Sequence, residues 1–476
     1  MNRPSPDDVV RAPRAILGAI GVLAGGEIIG RAVAFLAAAI LARRLGPEGF
    51  GIIGFAVALC SYLALAVNSG LGEVGGREVA RAPERAVDWY TTVASVRLVL
   101  ASVSFVLLVL VSVLLPKPPV TQLVVLLVGL SFFSLALDPG WVFKGLERPL
   151  LAGAGPVLAQ VVFAAGVWVF VTSPDDVTRV PVIQFAGELA AAAVLAMVLF
   201  GRRRPHLALA AGFKLLRETQ YLTLARLLRV TVISADVVML GFMVSDRAVG
   251  LYTAAYRVAF LLMAISGAVA SAYLPSYARV VQSAPAAGRR LVGESLRLAV
   301  TIGAPLVAGA VVTAEPMMAL LFGADYVEGA TALRLLALSV GAVFIHWSHS
   351  TLFVVTHQMG VQAAIGGVAA AVNIALNVLL IPRFGIEGAA MATLVSEVLV
   401  VIMGIAAIRR MGLWPSLAVI WQPVAAALGM VAVLVSVGSA LPLVQQIGLG
   451  GLAYASALLG LMTVARVLRR GTGAQG

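Results

Sequence analysis

Seven ionisable side chains lie inside apolar stretches long enough to cross a bilayer: Arg31, Arg97, Arg226, Arg229, Asp236, Arg257 and Arg334. A charge at the centre of a lipid-facing helix costs about 2.5–3.5 kcal/mol, so such residues face a bundle interior or a wet cavity. Six of the seven are arginine, whose planar fork of donors matches phosphate or carboxylate oxygens. The chemistry on offer is therefore capture of an anion within the membrane. Arg226, Arg229, Ile233 and Asp236 recur at i, i+3, i+7 and i+10. At ~100° per residue they share a helical sector of roughly 80°. That stripe reads as a cavity wall with two guanidiniums and one balancing carboxylate, or as an Asp–Arg lock between helices. Glu27 and Arg31 stand at i, i+4 in the order favoured for a helical ion pair. They suit a structural pair, a cavity-facing pair or cation coupling. Arg257 follows Tyr252 and Tyr256, whose rings offer flat faces for sugar stacking.

Arg97 and Arg334 lie nearer the ends of their stretches and read as snorkelling to the interface. His346, Trp347, Ser348, His349 and Ser350 form a polar patch that reads as a wet cavity wall, with a proton relay as the alternative. Asn373 and Asn377 share a face and suit hydrogen bonding across helices. Glu188 and Glu397 fall in similar contexts, QFAGELAAA and TLVSEVLVV, which favours a structural role, with transport coupling as the minor reading. No nucleophile elbow, phosphate-cradling loop or metal-binding helix motif occurs, so no enzyme, metal or cofactor is expected. Cys60 is the lone cysteine, which leaves no disulfide framework.

The elements that must hold these groups are membrane helices. The chain is 61% hydrophobic and 12% charged, with mean hydropathy +1.01, against about 25% charged in soluble domains. About fourteen spans are expected, near 17–42, 51–71, 91–115, 120–140, 151–172, 180–200, 220–243, 250–274, 296–314, 330–355, 360–381, 386–408, 422–441 and 447–466. Alternate connections carry 22 basic residues on one side and 6 on the other. The positive-inside rule then sets both termini in the cytoplasm. This bias accounts for most of the +12 net charge, so nucleic acid is not an expected partner. GFGIIGFAVAL (49–59) and AVGLYTAAYRV (248–258) open equivalent spans in two halves. The expected organisation is a six-helix lobe over 1–200, a cytoplasmic linker over 201–219, a second six-helix lobe over 220–410, and two further helices with a tail over 411–476. An even number of spans per repeat implies parallel repeats with a cavity between them.

Several ordered segments then carry a family resemblance. ARRLGPEGFGIIGFAVAL (42–59) with NSGLGEVGGREVAR (68–81) resembles the opening of bacterial polysaccharide and O-antigen flippases. These belong to the multidrug/oligosaccharidyl-lipid/polysaccharide exporter superfamily. SADVVMLGFMVSDRAVGLYTAAYRV (234–258), LPSYARV (274–280), LFGADYVEGATALRLLAL (321–338) and NIALNVLLIPRFGIEGAAMATLVSE (373–397) continue it. The resemblance implies an all-α polytopic membrane protein: two six-helix bundles in a V, two C-terminal helices, and alternating access. It further implies a multi-pass protein of the bacterial inner membrane that moves an undecaprenyl-pyrophosphate-linked oligosaccharide to the outer leaflet for surface polysaccharide synthesis. Asp236 and the segment 250–257 match its motifs, whereas Arg226, Arg229 and Arg334 rest on the residue argument. Partners are then the lipid-linked oligosaccharide and membrane lipid, with a polysaccharide polymerase and glycosyltransferases as further candidates. The expected substrate site is Arg31, Arg226, Arg229, Arg257, Tyr252 and Tyr256, and Glu27 and Asp236 serve coupling or structure. No nucleotide-binding motif is visible, so an ion or proton gradient is the expected motive force. Two alternatives stand: a cation-coupled drug exporter, which would want carboxylates rather than arginines in its cavity, and a non-transporting component of polysaccharide assembly.

Overall fold

Two glycines with positive φ decide how the longest helices run. Gly46 (φ 68°, ψ 176°) interrupts α1 (Pro6–Asn68), and Gly385 (φ 55°, ψ −127°) interrupts α14 (Met359–Arg410). Both torsion pairs lie where a side chain is strained, so glycine is the residue that permits each turn. α14 has 52 residues, about 78 Å at 1.5 Å per residue, more than twice the ~30 Å hydrocarbon core. Each of these helices is thus two crossings joined by a tight corner.

The structure is a computed structural model that describes residues 6–201, 209–281, 285–437 and 441–472. All regular elements among them are helical. Between α1 and α14 lie α2 (Leu71–Arg81), α3 (Ala86–Leu114), α4 (Pro119–Gly129), α5 (Ser131–Leu137), α6 (Gly140–Gly145), α7 (Pro149–Phe170), α8 (Arg179–Phe200), α9 (Leu209–Met243), α10 (Asp246–Val280), α11 (Pro285–Val312), α12 (Ala314–Phe322) and α13 (Ala330–Val355). α15 (Trp421–Val437) and α16 (Leu443–Thr472) complete the chain. Ten helical stretches are long and apolar enough to cross a membrane, and shorter apolar helices occupy Ser234–Met243 and Trp421–Val437. With α1 and α14 counted twice and the two shorter helices once, the described residues hold fourteen apolar helical segments, in line with the about fourteen expected from the apolar runs. α4, α5 and α6 together make one crossing, broken at Leu130 and again at Asp138 and Pro139.

The chain divides into two compact units, Met1–Val238 and Met239–Gly476. In the first, Arg44 caps the end of α7: its guanidinium donates to the carbonyls of Val167 (3.0 Å), Trp168 (2.7 Å) and Val171 (2.6 Å) and lies 5.1 Å over the Trp168 ring. The Val167 carbonyl also accepts the Val171 N–H (3.2 Å), whereas the other two are carbonyls that a helix leaves open at its C-terminus. Arg179 donates to the Phe170 carbonyl (3.0 Å) and pairs with Asp176 (2.8 Å). At the other end of this unit, α2 packs its glycines on α6. A Cβ on Gly75 would stand 2.6 Å from the Trp141 ring, and one on Gly145 would stand 2.6 Å from the Gly76 carbonyl. The amphipathic face Leu71, Gly72, Gly75 and Val79 is buried there.

In the second unit, the Ser245 hydroxyl accepts from the Ala248 N–H (3.2 Å) and starts α10. α15 and α16 bury Ala426, Ala427, Met430, Leu434 and Tyr454 against Ala304, Ala308 and Val312 of α11. The Tyr454 hydroxyl donates to the Thr301 carbonyl (2.8 Å).

One corner recurs in both units with the same backbone pattern. After α6, Leu146, Glu147 and Arg148 donate to Val142 (2.8 Å), Lys144 (3.2 Å) and Phe143 (2.9 Å). After α13, Thr356, His357 and Gln358 donate to Leu352 (2.8 Å), Val354 (3.3 Å) and Phe353 (2.8 Å). Glu147 (φ 53°) and His357 (φ 57°) occupy the same left-handed position. The two corners share geometry, yet only the phenylalanine is common to the two sequences.

Candidate functional site

α10 carries the described part of the expected anion site. Tyr252, Tyr256 and Phe260 stack along one stripe, with ring centroids 6.0 and 6.5 Å apart. Tyr252 is 0% exposed, so it backs the stripe and offers no open ring face, contrary to the stacking role expected for it. Tyr256 and Arg257 are half-buried. Thr253, one turn before Arg257, holds a buried hydroxyl with no hydrogen-bond partner among the described residues. A polar atom left unsatisfied in a membrane helix costs about 1–3 kcal/mol, so its place beside a guanidinium suits a bound polar group. Asp236 on α9 is 2% exposed and is not without a partner. The side chains of Glu27, Arg31, Arg226, Arg229 and His349 lie outside the described residues.

Arg97 corrects an expectation. It is 3% exposed, so it does not reach out to the interface. Its Nη2 donates to Asn68 Oδ1 (2.9 Å) at the end of α1, where Ser69 (φ 40°) and Gly70 (φ 68°) turn the chain. A Cβ on Gly72 would stand 2.8 Å from that same nitrogen. The span estimate set Arg97 near a helix end, but α3 begins at Ala86, so Arg97 sits about 16 Å into it. α2 covers what the sequence suggested was an open end.

Arg334 is the fifth residue of α13, close to its start. It pairs with Glu315 (2.7 Å) and donates from Nε to the Val311 carbonyl (3.3 Å), half exposed. Asn377 donates to Asn373 Oδ1 (3.0 Å) along their own helix, both side chains being buried. Of the polar patch on α13, Ser350 accepts from Gln362 Nε2 (2.5 Å).

The first unit holds a feature the sequence did not reveal: a cavity of about 360 Å³ between α1, α4, α5, α7 and α8. Its walls are mostly apolar, and its polar atoms come from Ser61, Ser131, Ser134, Asp138, Gln184 and Glu188. Glu188 accepts from the Ser134 hydroxyl (2.5 Å) and from Gln184 Nε2 (3.0 Å). Asp138, at the break between α5 and α6, accepts from the Gly140 N–H (2.9 Å). Ser61 donates to Ser234 of α9 (3.3 Å). The sequence signals were present as a proline after an aspartate and a glutamate in mid-span, but they lie 50 residues apart on different helices.

Ten helical stretches long and apolar enough to cross a membrane, with only helices as regular elements among the described residues, define a multi-pass, all-α membrane protein. The chain belongs to the polysaccharide biosynthesis protein family, whose sequence profile matches residues 16–281. It is 22% identical over 276 residues to a protein of Escherichia coli (strain K12) described as an O-antigen transporter, covering 55% of this chain and 65% of that one. It is 28% identical over 205 residues to a probable flippase, AglR, of Haloferax volcanii, covering 42% of this chain and 43% of that one. The chain thus spans less than two thirds of either curated relative. Among solved structures, the lipid II flippase MurJ in an inward closed conformation superposes with TM-score 0.75 at 13% identity, over 94% of this chain and 99% of that one. That likeness concerns the fold. These relatives are transporters and flippases, in line with the expectation of a non-catalytic protein.

Proposed function

We propose that this protein moves an undecaprenyl-pyrophosphate-linked oligosaccharide from the inner to the outer leaflet of the bacterial cytoplasmic membrane, by alternating access, for cell-surface polysaccharide synthesis. Both termini are cytoplasmic in this reading. The observation that carries it is the set of arginines inside membrane spans of a chain whose family is polysaccharide biosynthesis. Flippase relatives and the MurJ-like fold support it.

In this proposal Arg31, Arg226, Arg229 and Arg257 hold the pyrophosphate, because a guanidinium engages two phosphate oxygens at once. The unsatisfied Thr253 hydroxyl adds a donor one turn from Arg257. Tyr256 offers the ring for the first sugar, and Tyr252 fixes its position from behind. Glu27 and Asp236 serve as coupling or structural carboxylates. The isoprenoid tail stays in lipid throughout, so the protein need shelter only the polar headgroup. The test is the Arg229→Ala, Arg257→Ala double variant: surface polysaccharide should be lost while the protein remains folded in the membrane. Unchanged polysaccharide would remove these arginines from the site.

A further inference from the structure

We propose that the cavity inside the first unit is a binding site for a small organic monocation, an ammonium-type ligand with an apolar body. This inference stands apart from the flippase reading and uses different residues.

Its volume of about 360 Å³ falls within the ~300–1,000 Å³ of small-molecule sites, which are apolar with a few converging polar groups. Those polar groups are here of one sign. Asp138 and Glu188 contribute carboxylates, Ser61, Ser134 and Gln184 are neutral, and no arginine, lysine or histidine lines the space among the described residues. Glu188 takes its two hydrogen bonds from a hydroxyl and an amide, and neither carboxylate is in an ion pair among the described residues. A carboxylate in an apolar, membrane-depth setting needs a compensating charge. An occupant that brings a positive charge supplies it at the Glu188 end, while Ala159 and the other apolar walls bury its hydrocarbon.

The backbone points to the same place independently. The crossing made by α4, α5 and α6 is unwound at Asp138, where ψ is 115°, and Asp138 lines the cavity. Non-helical backbone at membrane depth is tolerated where it lines a cavity. The end of α5 also turns its carbonyl dipoles toward this break, and the Leu137 carbonyl is already taken by the Tyr90 hydroxyl (2.7 Å). The Asp138 carboxylate itself stands at this break and lines the cavity, which favours a cation over an anion there.

Benzyltrimethylammonium and its uncharged carbon isostere, neopentylbenzene, separate charge from shape. Calorimetric titration of the full-length protein in nanodiscs should show saturable binding of the cation and much weaker binding of the isostere. Glu188→Gln keeps the hydrogen-bonding shape but removes the charge, and should weaken cation binding by about tenfold or more, as loss of a charge-assisted contact does. Ala159→Phe fills the cavity and should abolish binding. Both variants are checked for monodispersity first, and Glu188→Gln alone decides if the bulky variant does not fold. Equal affinity for cation and isostere, unchanged affinity in Glu188→Gln, or no saturable binding to the native protein overturns the proposal. No glycan is present in this experiment, so its failure leaves the flippase reading standing, and the converse also holds.

Discussion

Arginine does three different jobs in this chain, and burial and partners tell them apart. Arg44 is a helix cap: three carbonyls of α7 and the Trp168 face converge on one guanidinium. Arg97 is a buried brace for the turn that ends α1. Arg257 is half-buried one turn after the unsatisfied Thr253 hydroxyl, and in the proposed function it meets the headgroup. The consequences of mutation should differ accordingly. Arg44→Ala leaves the Trp168 carbonyl of α7 and the Val171 carbonyl beyond it without their donor and should cost about 1–3 kcal/mol, read as a lowered midpoint in thermal unfolding of the detergent-solubilised protein. Arg97→Met should destabilise by a similar amount, because the half-buried Asn68 loses its donor. Arg257→Gln should leave the unfolding midpoint near that of the native protein while weakening glycan-lipid handling. A large stability loss in Arg257→Gln together with none in Arg97→Met would invert these assignments.

At the scale of elements, the paired corners after α6 and α13 make the clearest statement about the repeat. Glu147 and His357 are exposed and sit at left-handed φ in matching hydrogen-bond patterns. Glycine accepts that conformation without a Cβ clash, at some entropic cost in the unfolded chain. Glu147→Gly and His357→Gly should each therefore stabilise by about 0.5–1 kcal/mol, seen as two upward shifts in unfolding midpoint of the same sign. A downward shift in either would mean that its side chain holds the corner. Sequence reading found the crossings because apolar runs of about 20 residues are set by bilayer thickness. It found the repeat only through short similarities, since GLERP and VTHQM have almost no residue in common. Backbone hydrogen bonds, which any residue can make, carry the equivalence there. The same limit hid the cover that α2 forms over Arg97, because glycine-to-tryptophan packing leaves no periodic trace.

For the whole molecule, the family match and the crossings agree on a multi-pass membrane protein of the polysaccharide biosynthesis class. The proposed anion site was legible as residue types, since an arginine in an apolar span stands out against its surroundings. Its completeness was not legible, because helix faces from different spans meet only in three dimensions. Tyr252 illustrates the point: its spacing from Arg257 marked it as a site residue, and its burial turns it into a support. The cavity near Glu188 illustrates the converse, as no local pattern announced it. The central claim is transport of a lipid-linked glycan, and it is tested most directly with purified protein in liposomes. A fluorescent undecaprenyl-pyrophosphate-linked oligosaccharide is placed in both leaflets, and a membrane-impermeant reductant quenches the outer copies. Proteoliposomes holding the native chain should quench beyond the outer-leaflet fraction, and those holding the Arg229→Ala, Arg257→Ala variant should stop at that fraction. Native protein that stops where empty vesicles stop, across imposed ion and proton gradients, would contradict the account.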